Sequence, residues 1–368
     1  MSAPPAAPLP RVADLHCDTL LELQGGADIA RAPDGHVDLP RLRAGGVGMQ
    51  FFAAFVSPAL PSARAFAEAN ALLDLLDRAC ARHPEALERA TTAAAVEAAA
   101  AGGRTAAVAT VENGGAIECD LTKLEALAGR GVRAMTLTHG RHLPWAASSG
   151  EPGDGPGGLT AFGREVVAAM HRLGVIVDLS HVHERTFWDV MRVARRPVIA
   201  SHSCAAALCP TPRNLTDDQL RAIGAAGGVV GVNFFPGFLD PAYFAARAAT
   251  AEGTFRELER IELATLDDPA RRNAEMRRVM TAWRAEAGPA EAGIDTLCGQ
   301  IEHVAALAGE DGVAFGSDFD GVPELPRGIA GCDAFPAILE RLRARGWAWE
   351  RIHKLAWANA IRVLRANE

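Results

Sequence analysis

The sequence predicts an α/β fold, a (β/α)8 TIM barrel with helical insertions and a C-terminal helix, and three observations predict it. Eight short apolar runs follow one another along the 368 residues, each of a length that suits a buried parallel strand. Most of the stretches between them carry helical periodicity, so strand and helix alternate as parallel α/β architecture requires. All but the second run end in residues that can bind a metal or a substrate: His16 and Asp18, Glu112, His139, His181, His202, Asn233 and Asp318. In a barrel of this kind the site is assembled at the C-terminal ends of several strands. One polar strand end is noise, but a series of them in register reads as a site.

RVADLHCD opens the barrel. His16 and Asp18 stand two apart on the strand, so both side chains enter the mouth from one face. Imidazole and carboxylate together suit a borderline metal such as Zn²⁺; taken alone, an HxD pair also reads as a surface His and a turn Asp. GVGMQFFAAFVS is the second strand and has no obvious ligand. Residues 60–104 then read as a long Ala-rich helical insertion. The third strand, TAAVATV, runs into Glu112. A Glu is almost never fully buried unless paired or metal-bound, and its two oxygens can bridge two cations. Otherwise the strand stops at VENGG and Glu112 faces water.

DLTKLEALAGRG is a helix feeding RAMTLTH, which ends in His139. LTAFGREVVAAMHRLG places Leu159, Phe162, Val166, Met170 and Leu173 on one face and feeds VIVDLSH. His181 ends that strand and His202 ends the next, PVIASHS. Neighbouring strands lie about 4.8 Å apart, so both rings can reach one cation. Asp178, His183 and His171 lack this placement and read as structural or surface residues. Arg213 sits in TPRN, in the loop after the sixth strand. An Arg fork is the usual partner of a carboxylate, although a rim Arg is more often solvated.

TDDQLRAIGAAGG opens with Thr216 and Gln219 at capping-box spacing, flanked by Leu215 and Leu220 as a hydrophobic staple, and feeds VVGVNFF. Residues 240–292 form a charged helical insertion leaving the C-terminal end of that seventh strand. It is placed to act as a lid or as the contact of a homodimer, and a solvated face is the competing reading. IDTLCGQIEHVAALAG feeds GVAFGSDFDG. Asp318 ends this eighth strand and, in a closed barrel, lies beside His16 and Asp18, where it could ligate metal or move protons. Asp320 falls past the strand end as a supporting or loop residue. WAWERIHKLAWANAIRVLRANE closes the chain as a helix whose Trp residues pack on the barrel.

Length fits one barrel domain spanning residues 1–368, since such barrels take about 250 residues and more with insertions. The net charge of −8 argues against nucleic acid as a partner, because phosphate binding needs a basic face. Seven Cys at irregular spacing, without a CxxC, argue against a disulfide framework and a cysteine zinc site, and fit a cytoplasmic protein. No run reaches the roughly 18 apolar residues of a membrane span, and MSAPPAAPLPRVAD has no apolar core of a signal peptide, so no membrane is expected.

These residues together resemble the membrane (renal) dipeptidase family, a branch of the amidohydrolase barrels, from His16 to about Asn359. The resemblance rests on DLHCDTL, VENGG, LTLTH, FGREVVAAMHRLGVIVDLSH, RPVIASHS, PRNLTDDQL, GVNFF, GSDFDGV and NAIRVL, in that order. It implies a binuclear zinc dipeptidase of the soluble bacterial type. His16, Asp18 and Glu112 would hold one zinc, and Glu112, His181 and His202 the second. His139 would contact the scissile carbonyl, Arg213 would bind the terminal carboxylate of a dipeptide, and Asp318 would move the proton. The resemblance also implies tolerance of a D-residue at the C-terminal position. One departure is the loop GRHLPWAASSG, with His142 and Ala147 where the family usually shows Asn and Asp.

Two rivals remain. Another hydrolase of this scaffold, acting for instance on an N-acyl amino acid, is the first, because fold does not fix chemistry. Many such enzymes use an HxH pair and a carboxylated Lys, whereas this chain has HxD, and its Lys123 and Lys354 end no strand. A non-catalytic scaffold predicts a missing ligand, and all five expected metal positions are filled.

Overall fold

A computed structural model describes residues 9–287 and 290–368. Among these, the strands are β1 (Val12–Cys17), β2 (Val47–Phe55), β3 (Leu87–Arg89), β4 (Thr105–Glu112), β5 (Val132–Thr136), β6 (Ile176–Asp178), β7 (Ile199–Ala200), β8 (Val229–Val232) and β9 (Val313–Phe315). All pairings between them are parallel. β1 lies between β2 and β9, β2 pairs with β4, and the order then runs β4 to β9. The ring is therefore closed by eight strands, β3 excepted, and each of the eight is one of the apolar runs. The fold is a (β/α)8 TIM barrel.

β3 corrects the expectation for residues 60–104. That segment is a helix over Ser62–Arg82, then β3, then a helix over Ala93–Ala101. Pro84 supplies the reason, because the residue before a proline is pushed out of the helical region. His83 ends the first helix at φ −129° and ψ 52°. Leu87 is then buried and pairs with Thr105 of β4.

One core cluster draws a residue from every barrel strand, among them Leu15, Phe51, Val108, Ile176 and Val229, which only the barrel interior can do. Ala107, Ala109 and Val111 of β4 belong instead to the outer layer beneath the helices. Period-two alternation from Ala106 and Val108 therefore aims Glu112 inward, at the end where the strands stop. Ala360, Ile361, Val363 and Leu364 of the tail join the interior cluster. Asn359 Nδ2 donates to the carbonyl of Val313, the first residue of β9, at 2.8 Å. The tail thus closes the end where the strands begin. Trp347 is buried, and Trp357 packs so closely on Gly48 that a Cβ there would meet its ring at 2.8 Å.

The crossover helices start at side-chain caps, of which the sequence marked the one at Thr216. Thr160 Oγ1 accepts from Gly163 N at 3.3 Å, and Gly174 ends that helix in the left-handed region at φ 69°. Thr216 and Gln219 form the reciprocal capping box, with Leu215 and Leu220 buried on either side. The charged insertion is a pair of helices, Pro241–Ala264 and Pro269–Ala287, packed on each other. It is tied to the rim of the barrel mouth: Ser57 Oγ donates to Glu262 at 2.5 Å, Arg272 reaches Glu68 at 3.3 Å, and Arg277 pairs with Glu22. The insertion therefore covers the mouth. Among the described residues no helix is long and apolar enough to cross a membrane.

Candidate metal centre

The C-terminal ends of the strands bring the predicted ligands together. His16 is in β1, and Asp18 stands just before the helix Thr19–Gln24 without a side-chain capping bond to it. Alternation from Ala13 and Leu15 would aim His16 out of the interior, but the register of β1 on β2 shifts between Asp14 and Cys17 and His16 turns in. His16 Nε2 then lies 3.3 Å from Asp18 Oδ2 and 3.6 Å from Glu112 Oε2. The other oxygen, Glu112 Oε1, lies 3.0 Å from His181 Nε2 and 3.3 Å from His202 Nε2. The last two nitrogens face each other at 2.8 Å. One carboxylate thus turns one oxygen to His16 and the other to His181 and His202, while the His16 and His202 rings themselves stack at 3.8 Å.

Asp318 lies three residues past β9 and is drawn to β1 by backbone bonds, Asp318 N to His16 O at 3.2 Å and Asp18 N to Phe319 O at 2.8 Å. Its Oδ1 is 3.9 Å from His16 Nε2. His139 Nε2 lies 3.9 Å from Glu112 Oε1 on the far side. Arg213 Nη2 donates to the His202 carbonyl at 3.1 Å, its Nε has no protein partner, and its guanidinium lies over the Phe238 ring. His181 and Asp318 are held at φ 67° and 62°. Left-handed backbone at a non-glycine residue costs on the order of 1–3 kcal/mol and persists where the surroundings over-determine it, commonly at functional sites.

The donor set fits divalent cations. Three groups of ligand atoms converge within 4.8 Å: His16, Glu112 and His202; Glu112, His139 and His181; His16, Asp18 and Asp318. All are nitrogen or oxygen, and Asp18 Oδ1 is buried without a hydrogen-bond partner among the described residues. Such an atom is costly unless a cation satisfies it. Without the cation the charges are frustrated. Burial works against a charged His16, but Glu112 and Asp18 outweigh it and hold its pKa well above the usual imidazole range. Burial and the Glu112 charge push Asp18 up. Burial holds His181 and His202 below the usual range, and His139 is pushed down to about 4, so all three offer neutral nitrogens at neutral pH.

Several residues outside the predicted ligand set support the centre. Asp178 is buried and accepts from Ser201 Oγ at 2.5 Å, while that hydroxyl lies 2.7 Å from His202 Nδ1. It is structural, as expected, but it acts by orienting a ligand ring. Asp14 accepts from Ser317 N and Oγ at 2.8 and 2.6 Å, fixing the turn before Asp318. Asp320 accepts from Thr19 Oγ1 at 2.7 Å and from His36 N at 2.6 Å, as a loop support. Gly321 backs onto the site, where a Cβ would meet Asp18 Oδ2 at 2.0 Å and Asp318 Oδ1 at 2.5 Å. His183 and His171 lie away from the centre, one capping the helix Glu184–Val193 and the other on the helix Ala161–Leu173. Alternation within VIVDLSH and PVIASHS could have singled out the pair Asp178 and Ser201; nothing local marks Gly321.

The centre lies at the bottom of a cavity of about 540 Å³. Phe55, Phe235 and Phe238 wall it from the barrel side, and Met280, Trp283 and Arg284 from the insertion. His142 and Ala147 do not line it; Gly140 and Gly150 of that loop do.

Comparison with known proteins agrees with this geometry. The family model described as membrane dipeptidase (peptidase family M19) matches residues 9–368. A metallopeptidase from Rhodobacter sphaeroides, liganded with a phosphinate mimic of the dipeptide L-Ala-D-Ala, is 28% identical, with 98% of this chain and 100% of that one covered and a TM-score of 0.80. The metallopeptidase dipeptidase AC is 30% identical, with 98% and 99% covered and a TM-score of 0.79. A probable dipeptidase, PvdM, from Pseudomonas aeruginosa shares the fold at 24% identity, with 98% and 95% covered and a TM-score of 0.81. With a barrel whose strand ends converge on clusters able to hold divalent metal, and a family model matched from residue 9 to the last, the chain belongs to the membrane dipeptidase family, peptidase family M19, and is a metallodipeptidase-type hydrolase.

Proposed function

We propose that this enzyme uses two zinc ions to hydrolyse the peptide bond of dipeptides and accepts a D-residue at the C-terminal position. The observation that carries this is the division of Glu112, with Oε2 toward His16 and Oε1 toward His181 and His202. His16, Asp18 and Glu112 would hold one ion, and Glu112, His181 and His202 the other. When bound, the pair would supply Lewis acidity and lower the pKa of the attacking water toward neutrality. Arg213 binds the free carboxylate, for which its partnerless Nε is available. Neutral His139 contacts the scissile carbonyl. Asp318 takes the proton of the attacking water and passes it to the leaving amine. The D-residue reading is supported by the L-Ala-D-Ala mimic carried by the Rhodobacter sphaeroides relative.

The whole chain is read as one barrel domain, working in the cytoplasm without a membrane or nucleic-acid partner. Elemental analysis of purified protein, joined to a substrate panel, tests the reading. Two zinc per chain with hydrolysis confined to dipeptides supports it. Two zinc with activity only on an N-acyl amino acid keeps the centre and overturns the substrate. No metal, and no activity after zinc is restored, removes the enzymatic reading of the centre.

A further inference from the structure

A second chamber, of about 520 Å³, opens beside the metal centre. It is a side lobe continuous with the main cavity along Leu21, Phe55, His139, Phe255, Leu258 and Met276, and neither Arg213, Phe238 nor Asp318 lines it. It therefore extends from the His139 side of the centre, away from the carboxylate clamp. Its walls are apolar: Leu21, Phe55, Leu60, Phe255, Leu258 and Met276. Half of these come from the charged insertion.

The polar groups of the chamber do not cancel. Glu259 pairs with Arg141, and Glu68 lies 3.3 Å from Arg272. Glu262 lies deeper, at 9% exposure, and no cation pairs with it among the described residues; its hydrogen-bond partner is Ser57 Oγ. Burial pushes its carboxyl above the ordinary range, with the Ser57 bond and the charge of nearby Arg272 pulling the other way and Glu68 and Glu259 adding to the rise. Three carboxylates, Glu68, Glu259 and Glu262, thus face two guanidiniums, Arg141 and Arg272, and the buried negative charge in excess welcomes a cation. A purely apolar occupant would leave that carboxylate dry, and an acidic one would be repelled by it. An occupant with an apolar stem and a cationic end satisfies both walls and floor.

We propose that this chamber receives the side chain of the substrate's N-terminal residue and that Glu262 selects lysine or arginine there. The assignment rests on the reading of Arg213 as the clamp for the terminal carboxylate, which places the C-terminal residue on the other side of the centre. It gives the 240–292 insertion a role in specificity, with Glu262 as the residue that determines it.

The test compares substrates that share a stem and differ in charge. For the zinc-loaded wild-type enzyme, kcat/KM for Lys-Ala should exceed that for norleucyl-Ala by roughly tenfold or more, the worth of one charge-assisted contact. Ala-Lys should gain no such advantage over Ala-norleucine. Glu262→Gln, which keeps the shape and the Ser57 bond, should bring the lysyl to norleucyl ratio close to one. A ratio near one in the wild type overturns the assignment without any variant. So does a ratio that survives Glu262→Gln, or an advantage found at the C-terminal residue instead. Cleavage of dipeptides without the ratio overturns this assignment alone; failure to cleave any dipeptide overturns the proposed function with it.

Discussion

Asn233 Nδ2 donates to Asp318 Oδ2 at 2.8 Å, and Asp318 Oδ1 is left 3.9 Å from His16 Nε2. The orientation of the amide is fixed, because Asn233 Oδ1 accepts from Phe235 N at 2.6 Å. Asn233 is the residue after β8, and Asp318 stands three past β9, so two neighbouring strands hold one carboxylate at the edge of the metal cluster. One oxygen is engaged and the other faces the reacting side.

This arrangement predicts a proton carrier, not a structural ligand. Asp318→Asn should lower kcat by roughly 100-fold to 10,000-fold, the range of a lost general base, with metal content unchanged by elemental analysis. Loss of metal together with activity would make Asp318 a ligand instead.

Glu112 is predicted to be shared. Glu112→Gln should weaken both ions together, seen as a fall from about two metals per chain toward none on dialysis. Retention of one tightly held ion would show that Glu112 serves a single site. His202→Ala, by contrast, should release one ion more readily than the other.

Gly321 has no freedom to carry a side chain. Gly321→Ala would place a Cβ 2.0 Å from Asp18 Oδ2 and 2.5 Å from Asp318 Oδ1. Overpacking of this kind costs about 1–3 kcal/mol. The variant should fold, with a Tm a few degrees lower, and should bind metal more weakly and turn over more slowly. Wild-type metal affinity and turnover would show that the loop yields instead.

His36 predicts an acid-side loss of stability. It is pushed down to about 4, first by burial, while an unfolded His titrates near 6.5. The fold therefore favours the neutral ring. The stability this gives is complete above pH 6.5 and disappears as the pH falls toward 4, up to roughly 3 kcal/mol, and less because the ring is 21% exposed. The stability of His36→Gln should depend less on pH across that window in denaturant titrations. Parallel curves for the two proteins would refute the assignment.

The barrel and most of its centre were legible from local sequence. The eight runs, the capping box at Thr216, and the polar strand ends are all set by neighbours a few residues away. The break at Pro84 was legible in principle; the Ala-rich run on either side masked it. The chamber was not legible, because Leu21, Phe55 and Glu262 lie far apart in the chain and nothing local to any of them marks a shared wall. His16 and Asp18 come together for a reason other than their spacing: Asp18 lies past the end of β1, strict alternation from Ala13 and Leu15 would turn His16 outward, and the register shift on β2 turns it in.

The sequence by itself determined the strand order and the kinds of side chain at the strand ends, since period-two burial and the alternation of strand with helix are local properties. Only the tertiary structure decided how Glu112 turns one oxygen to His16 and the other to His181 and His202, how Asp178 reaches His202 through Ser201, and why a side chain at Gly321 would crowd Asp18 and Asp318. Those relations depend on distances of a few ångströms between residues up to hundreds of positions apart, and they exist only once the ring of strands has closed.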